Sequence, residues 1–184
     1  IARDTGTPVL GLACDVGTTA GCQALIDAAL HRFGRVDILV TNSGGPEAGK
    51  FEALDDDAWR RAIDVTLLNV VRLIRLALPS MRRAAWGRIV NITSLSARQP
   101  IEGLLLSNAL RAAVHGMAKT LSREVAPDGI LVNNVCPGMH ATDRLQHLAQ
   151  VRAAASGSSV EQEFARMTAA IPLASKTPSA CGSS

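Results

Sequence analysis

Short, largely apolar runs alternating with helical patterns constrain this chain more than any other feature. Residues 9–13, 36–40, 88–93 and 130–135 are such runs. Turn signals close two of them: Thr41-Asn42-Ser43-Gly44-Gly45-Pro46 after the second and Cys136-Pro137-Gly138 after the fourth. Continuous apolar runs of this length, bounded by glycine and proline, read as buried strands. Helical spacing fills the intervals. Leu25, Ile26, Ala29, Leu30 and Phe33 lead to a stop at Gly34, and acidic residues 55–57 open a helix that runs over 59–78 and stops near Pro79. A further helix covers 104–125. Strands alternating with helices in this way predict an α/β fold with a parallel sheet covered on both faces.

The 184 residues suit one domain. The net charge of +3 is dispersed, and the pairs Arg60–Arg61 and Arg82–Arg83 lie in helical patterns, so they read as solvated faces, not a nucleic-acid stripe. Cys14, Cys22, Cys136 and Cys181 lack the spacing of a metal site, and the expectation is reduced thiols in a cytoplasmic protein with no metal. The most apolar helix, 65–78, is interrupted by Asn69, Arg72 and Arg75, too short and too charged to span a membrane. Two more helices are expected at 143–153 and 160–170, the second with Ser158 and Glu161 at capping-box spacing.

The order of landmarks resembles the short-chain dehydrogenase/reductase family, and within it a divergent branch related to 3-oxoacyl-acyl-carrier-protein reductases. Residues 33–44, Phe-Gly-Arg-Val-Asp-Ile-Leu-Val-Thr-Asn-Ser-Gly, are similar to the family strand ending in an Asn-Asn-Ala-Gly turn, and Ser43–Pro46 carries the Ser-Gly-Gly-Pro of that branch. Residues 87–94, Gly-Arg-Ile-Val-Asn-Ile-Thr-Ser, resemble the strand that delivers the catalytic serine. The resemblance runs over about residues 9–173 and implies a Rossmann-like doubly wound sheet. It implies NAD or NADP as cofactor, a small carbonyl or alcohol substrate, and a homo-oligomer formed through helices 59–78 and 104–125.

Carried over position by position, Asp15 and Val16 match a pair that contacts adenine; a polar strand end capping the next helix is the alternative for Asp15. Asn42, Ser43 and Gly44 match the turn that lets the cofactor approach, and Pro137, Gly138 and Thr142 the loop that holds the nicotinamide; ordinary turns are the alternative in each case. The family's catalysis uses serine, tyrosine and lysine. Ser94 stands at the serine position, Ser107 at the tyrosine position thirteen residues on, and Arg111 at the lysine position four further. Arg111 keeps a charge able to hold ribose hydroxyls, with a forked geometry unlike an ammonium. The asparagine of the long helix aligns with Thr66, not Asn69. No tyrosine occurs anywhere in the chain, so no shift of register restores the phenol. His115, His140 and Lys119 are the other groups weighed: His115 sits too deep along its helix, His140 lies in the loop nearer the nicotinamide, and Lys119 reads as an exposed helix residue.

The resemblance also implies what is absent: the first two strands with their glycine-rich phosphate loop, and the last strand. A domain over 1–173 followed by an atypical, disordered tail over 174–184 is the expected organisation. The expected function is an NAD(P)-dependent oxidoreductase with a degenerate catalytic group. The alternatives are a binding relative without turnover, or a truncated product that only associates with itself.

Overall fold

The computed structural model describes residues 2–138 and 143–169. They fall into two compact units, one ending at Cys136 and one beginning at Pro137. In the first, a short helix α1 (Ala2–Thr5) precedes α2 (Thr19–Phe33), β1 (Ile38–Thr41), α3 (Asp56–Ile63), a π-helical segment (Asp64–Leu68), α4 (Asn69–Arg83), β2 (Gly87–Ile92), α5 (Leu105–Val125) and β3 (Ile130–Val135). The second contains α6 (Asp143–Ser156) and α7 (Val160–Thr168).

The three strands form one parallel sheet in the order β1-β2-β3. The register aligns Leu39 with Ile89 and Val132, and Thr41 with Asn91 and Asn134. A buried polar ladder follows that second row. Thr41 Oγ1 donates to Asn91 Oδ1 at 2.9 Å, and Asn91 Nδ2 donates to Asn134 Oδ1 at 2.9 Å. Asn91 is fully buried, so a slip of one residue would leave its amide unpaired in the core.

Strands laid down in one direction by right-handed crossovers carry their connecting helices on the same face. The core shows this: Leu39, Ile89 and Ile130 pack with Ile26 of α2, with Val70, Leu73, Ile74 and Met81 of α4, and with Val114 and Val125 of α5. On the opposite face Ile38, Val40, Leu131 and Val135 are 60%, 56%, 50% and 45% exposed. Parallel strands alternating with helices are the expected α/β, Rossmann-like arrangement in truncated form, and among the described residues only one face of the sheet is covered. Apolar runs show that a strand has two apolar faces; covering both takes a strand order that reverses, which these three strands do not have.

Residues 9–13, expected as a strand, form none: they carry no regular structure, and Val9, Leu10 and Leu12 are 42–56% exposed. No strand lies beside them among the described residues, and an isolated strand has nowhere to place its backbone hydrogen bonds.

The stop expected near Pro79 is also corrected, since α4 runs through Pro79 to Arg83. Ser80 Oγ accepts the Val36 N–H at 2.9 Å, and Met81 is fully buried. That anchoring of the last turn outweighs the hydrogen bond that proline removes. In the second unit the capping box sits one residue later than expected: Ser159 and Gln162 bond each other's backbone N–H at 3.2 and 3.1 Å. Ser158 donates instead to Glu163, at 2.7 Å. Leu145, Ala149 and Met167 form this unit's own small core.

One-sided coverage predicts unequal mutational costs. Ile89→Ala should cost about 2–5 kcal/mol, and Ile38→Thr on the open face should stay within about 0.5 kcal/mol, both read from urea unfolding midpoints. Equal losses would mean that both faces are packed.

Candidate functional site

Parallel strands bring their carboxyl ends to one edge, and the residues of interest in the first unit gather there. Ser94 stands two residues past the end of β2. It caps a 3-10 turn, Leu95–Ala97, its Oγ accepting the Ser96 N–H at 3.1 Å. That leaves the hydroxyl hydrogen of the half-buried Ser94 available to an outside acceptor. Helix α5 packs against this turn and puts Ser107 and Arg111 one helical turn apart. Ser107 Oγ lies 3.0 Å from Ser96 Oγ, and Arg111 Nη1 donates to the Ile92 carbonyl at 3.0 Å. Both side chains are buried, 7% and 6% exposed. The structure therefore brings Ser94, Ser107 and Arg111 to the end of β2, with Ser107 and Arg111 engaged in internal contacts.

The β1 turn is tied to the long helix by a backbone irregularity. The Asn69 N–H bonds the Asp64 carbonyl, five residues back. The Val65 carbonyl thereby loses the donor it would have in an α-helix, and the Ser43 hydroxyl supplies one at 2.8 Å. Asn42 and Gly44 are exposed, and a Cβ on Gly44 would meet nothing within 4 Å, so the backbone there is open to close approach. Thr66 and Asn69, both fully buried in and after the π segment, keep side-chain polar atoms without hydrogen-bond partners. Sequence reasoning placed Thr66 in the family alignment; no signal in the sequence marked Asn69 as buried.

Asp15 and Val16 occupy the turn before α2. Asp15 Oδ1 accepts the Gly17 N–H at 2.8 Å, its carbonyl accepts the Thr18 hydroxyl at 2.9 Å, and Thr18 caps the helix by accepting from Gly21. Arg72 fastens this turn to α4 by donating to the Gly17 carbonyl and to Asp64, at 2.8 and 2.7 Å. The cap of α2 is thus Thr18, and Asp15 closes the turn before it. Val16 packs partly buried against the main core.

Beside Ser94 lies a cluster that the sequence did not disclose. Thr93 Oγ1 is 2.9 Å from His115 Nε2, 3.0 Å from the Val135 carbonyl and 3.5 Å from Cys136 Sγ. Cys136 Sγ is itself 3.5 Å from His115 Nε2. Burial first, and Arg98 second, hold His115 below the usual histidine value. Pro137 and Gly138 begin the second unit, while His140, Thr142 and the tail over 174–184 lie outside the described residues.

Among the described residues, this edge carries an exposed turn at Asn42–Gly44 and the hydroxyls of Ser94, Ser96 and Ser107. A crevice for a dinucleotide's pyrophosphate is not found among the described residues, because the strand order never reverses. No helix among them is long and apolar enough to cross a membrane.

A sequence profile of the family described as short chain dehydrogenase matches residues 1–153. The putative ketoacyl reductase of the monensin polyketide synthase from Streptomyces virginiae is 37% identical over 93% of this chain and 66% of its own length. A putative ketoacyl reductase of Streptomyces coelicolor is 34% identical over 93% of this chain and 66% of its own. The chain thus spans just under two thirds of the length of these curated relatives. Among solved structures, the actinorhodin polyketide ketoreductase with NADPH superposes with a TM-score of 0.86 at 33% identity, over 94% of this chain and 67% of that one. The L-sorbose reductase from Gluconobacter frateurii, complexed with NADPH and L-sorbose, gives 0.79 at 30% identity, over 88% and 61%.

Two outcomes follow from this geometry. Ser43→Ala should cost about 1 kcal/mol of stability, the worth of one hydrogen bond, read from urea unfolding; no change would mean the Val65 carbonyl has another donor. His115, held low, contributes stability that is fully present above its unfolded value of about 6.5 and is lost as pH falls through the folded value. Stability should therefore drop more between neutral and mildly acid pH in the parent chain than in His115→Gln. Parallel curves would contradict the assignment.

Proposed function

The chain belongs to the short-chain dehydrogenase family, and from this we propose that it serves hydride exchange between NAD(H) or NADP(H) and a small carbonyl or alcohol, with a proton step that lacks a phenol. Ser94 carries this reading. It stands at the carboxyl end of β2 with its hydroxyl hydrogen uncommitted, where it can donate to a carbonyl oxygen as negative charge grows there. The nicotinamide supplies the hydride when bound. Asn42, Ser43 and Gly44 shape the turn it approaches, and Asp15 and Val16, with Pro137, Gly138 and Thr142, are the further contacts that the family resemblance assigns. Arg111 is assigned the ribose and the electrostatic role of the family's lysine.

The proton is the weak point. An aliphatic hydroxyl ionises far above a phenol's value of about 10, and Ser107 is 7% exposed and bonded to Ser96. Water delivers the proton in this reading. Loss of positioned acid catalysis costs about 10²–10⁴-fold in rate.

A specific observation favours a second reading, a relative that binds a nucleotide or acyl ligand without turnover: Ser107 and Arg111 are both buried and engaged within the protein. Fluorescence titration of the full chain with NADH and NADPH, followed by assay on a panel of ketones, separates the two. Saturable binding with slow turnover that Ser94→Ala abolishes supports the oxidoreductase. Binding without turnover supports the second reading. No binding of either nucleotide contradicts both as nucleotide-dependent functions.

Self-association through α4 and α5 belongs to the same proposal. Val71, Ile74, Leu78, Met117 and Leu121 line a groove between these helices together with Arg75, Thr120 and Glu124. A Cβ on Gly116, in the same groove, would meet nothing within 4 Å. Gly116→Arg should leave the fold intact, since arginine is the better helix former by nearly 1 kcal/mol, and convert a dimer to a monomer by light scattering. A monomeric parent chain would contradict the proposal.

A further inference from the structure

We infer that Asn108 is a positioning residue for the candidate site: it clamps the loop after β2 and, through that loop, braces the loop after β1, so that Ser94 and the Asn42–Gly44 turn keep one separation. The clamp carries this inference. Asn108 Oδ1 accepts the Ile101 N–H at 3.1 Å, and Asn108 Nδ2 donates to the Ile101 carbonyl at 3.0 Å. Both backbone groups of one residue thus meet one carboxamide, as they would meet a neighbouring strand. Two residues on, the Gly103 carbonyl accepts the Gly49 N–H at 2.8 Å, and a parallel bridge pairs Gly49 with Leu104.

Each loop begins at one side of the site. Residues 98–104 leave the 3-10 turn that Ser94 caps and lead into the first turn of α5, which holds Ser107. Residues 42–50 leave β1 after Thr41 and include the Asn42–Gly44 turn. The far end of this second loop is seated as well. A Cβ on Gly49 would lie 2.8 Å from Leu54, and Leu54 packs with Ala62, Leu106 and Leu110. Gly49 is therefore held between a side chain anchored on α3 and α5 and the backbone of Gly103. Gly103 itself takes a left-handed φ of 74°, which favours glycine. Around Ile101, the residues Gln99, Pro100 and Glu102 are exposed, so the clamp pins the middle of a surface stretch.

A carboxamide supplies both halves of the clamp. Aspartate at this position would keep an acceptor for the Ile101 N–H, but it would set a second carboxylate oxygen against the Ile101 carbonyl with no hydrogen to donate. The loop would then lose one bond and gain a repulsion, and the strain would pass through Gly103 to Gly49. Calling the two turns one site rests on the proposed function. The brace itself stands on these contacts alone.

Native-state amide exchange of the full chain, followed by NMR, tests the brace without a substrate. In the parent chain the amides of Gly49 and Ile101 should share one opening free energy, below that of Ile89 in the core. Asn108→Asp should speed exchange at both by about tenfold and leave Ile89 unchanged. NADH should bind the same variant more weakly than the parent chain, by about threefold to tenfold. Should Asn108→Asp loosen the whole fold, the shared opening in the parent chain stands as an independent measure. Separate opening energies for Gly49 and Ile101, or a folded variant in which Ile101 speeds and Gly49 does not, overturns the brace. Unchanged NADH affinity in a variant whose two loops have opened overturns the positioning role. A parent chain that binds no NADH sinks the nucleotide-dependent function and the positioning role with it, while the exchange rates still decide the brace.

Discussion

The side chain of Asn91 holds this structure in register. It sits fully buried in the middle strand and joins Thr41 on one side to Asn134 on the other. Apolar parallel strands pack almost as well one step out of phase along their length, so burial alone specifies their alignment weakly. A buried amide with both its groups paired does specify it, because a slip costs the desolvation of every member of the ladder. Two residues beyond Asn91 lies Thr93, and three beyond lies Ser94. The position of the candidate site therefore follows from the same ladder that aligns the sheet.

Direction matters as much as register. Because β1, β2 and β3 follow one another in space as in sequence, α4 and α5 lie on one face and the other is left open. The same order gathers all three carboxyl ends at one edge without creating the crevice that a reversal of strand order provides. Ser94 and the exposed turn at Asn42–Gly44 both lie at that edge.

Much of this was legible in the sequence. The continuous apolar runs at 88–93 and 130–135 gave β2 and β3 nearly to the residue, and helical spacing gave α5. Family landmarks placed Ser94, Ser107 and Arg111, and the structure brings those three to one strand end. What was not legible depended on contacts between distant segments. Residues 9–13 have the composition of a strand, but a strand requires a neighbour. Pro79 has the local signature of a helix end, yet the bond from Val36 to Ser80 holds the helix beyond it. Asn91 stood out as a polar residue in an apolar run, and only the register shows its partners. The cluster of Thr93, His115 and Cys136 spans three elements separated in sequence, and no local pattern encodes it.

A double-mutant cycle between Thr41→Val and Asn91→Leu, read by urea unfolding of the full chain, tests the register claim most directly. The ladder predicts a coupling energy of about 1 kcal/mol or more between the two positions. Additivity within about 0.3 kcal/mol would show that the two side chains do not act together, and that something other than the Asn91 ladder aligns the strand ends.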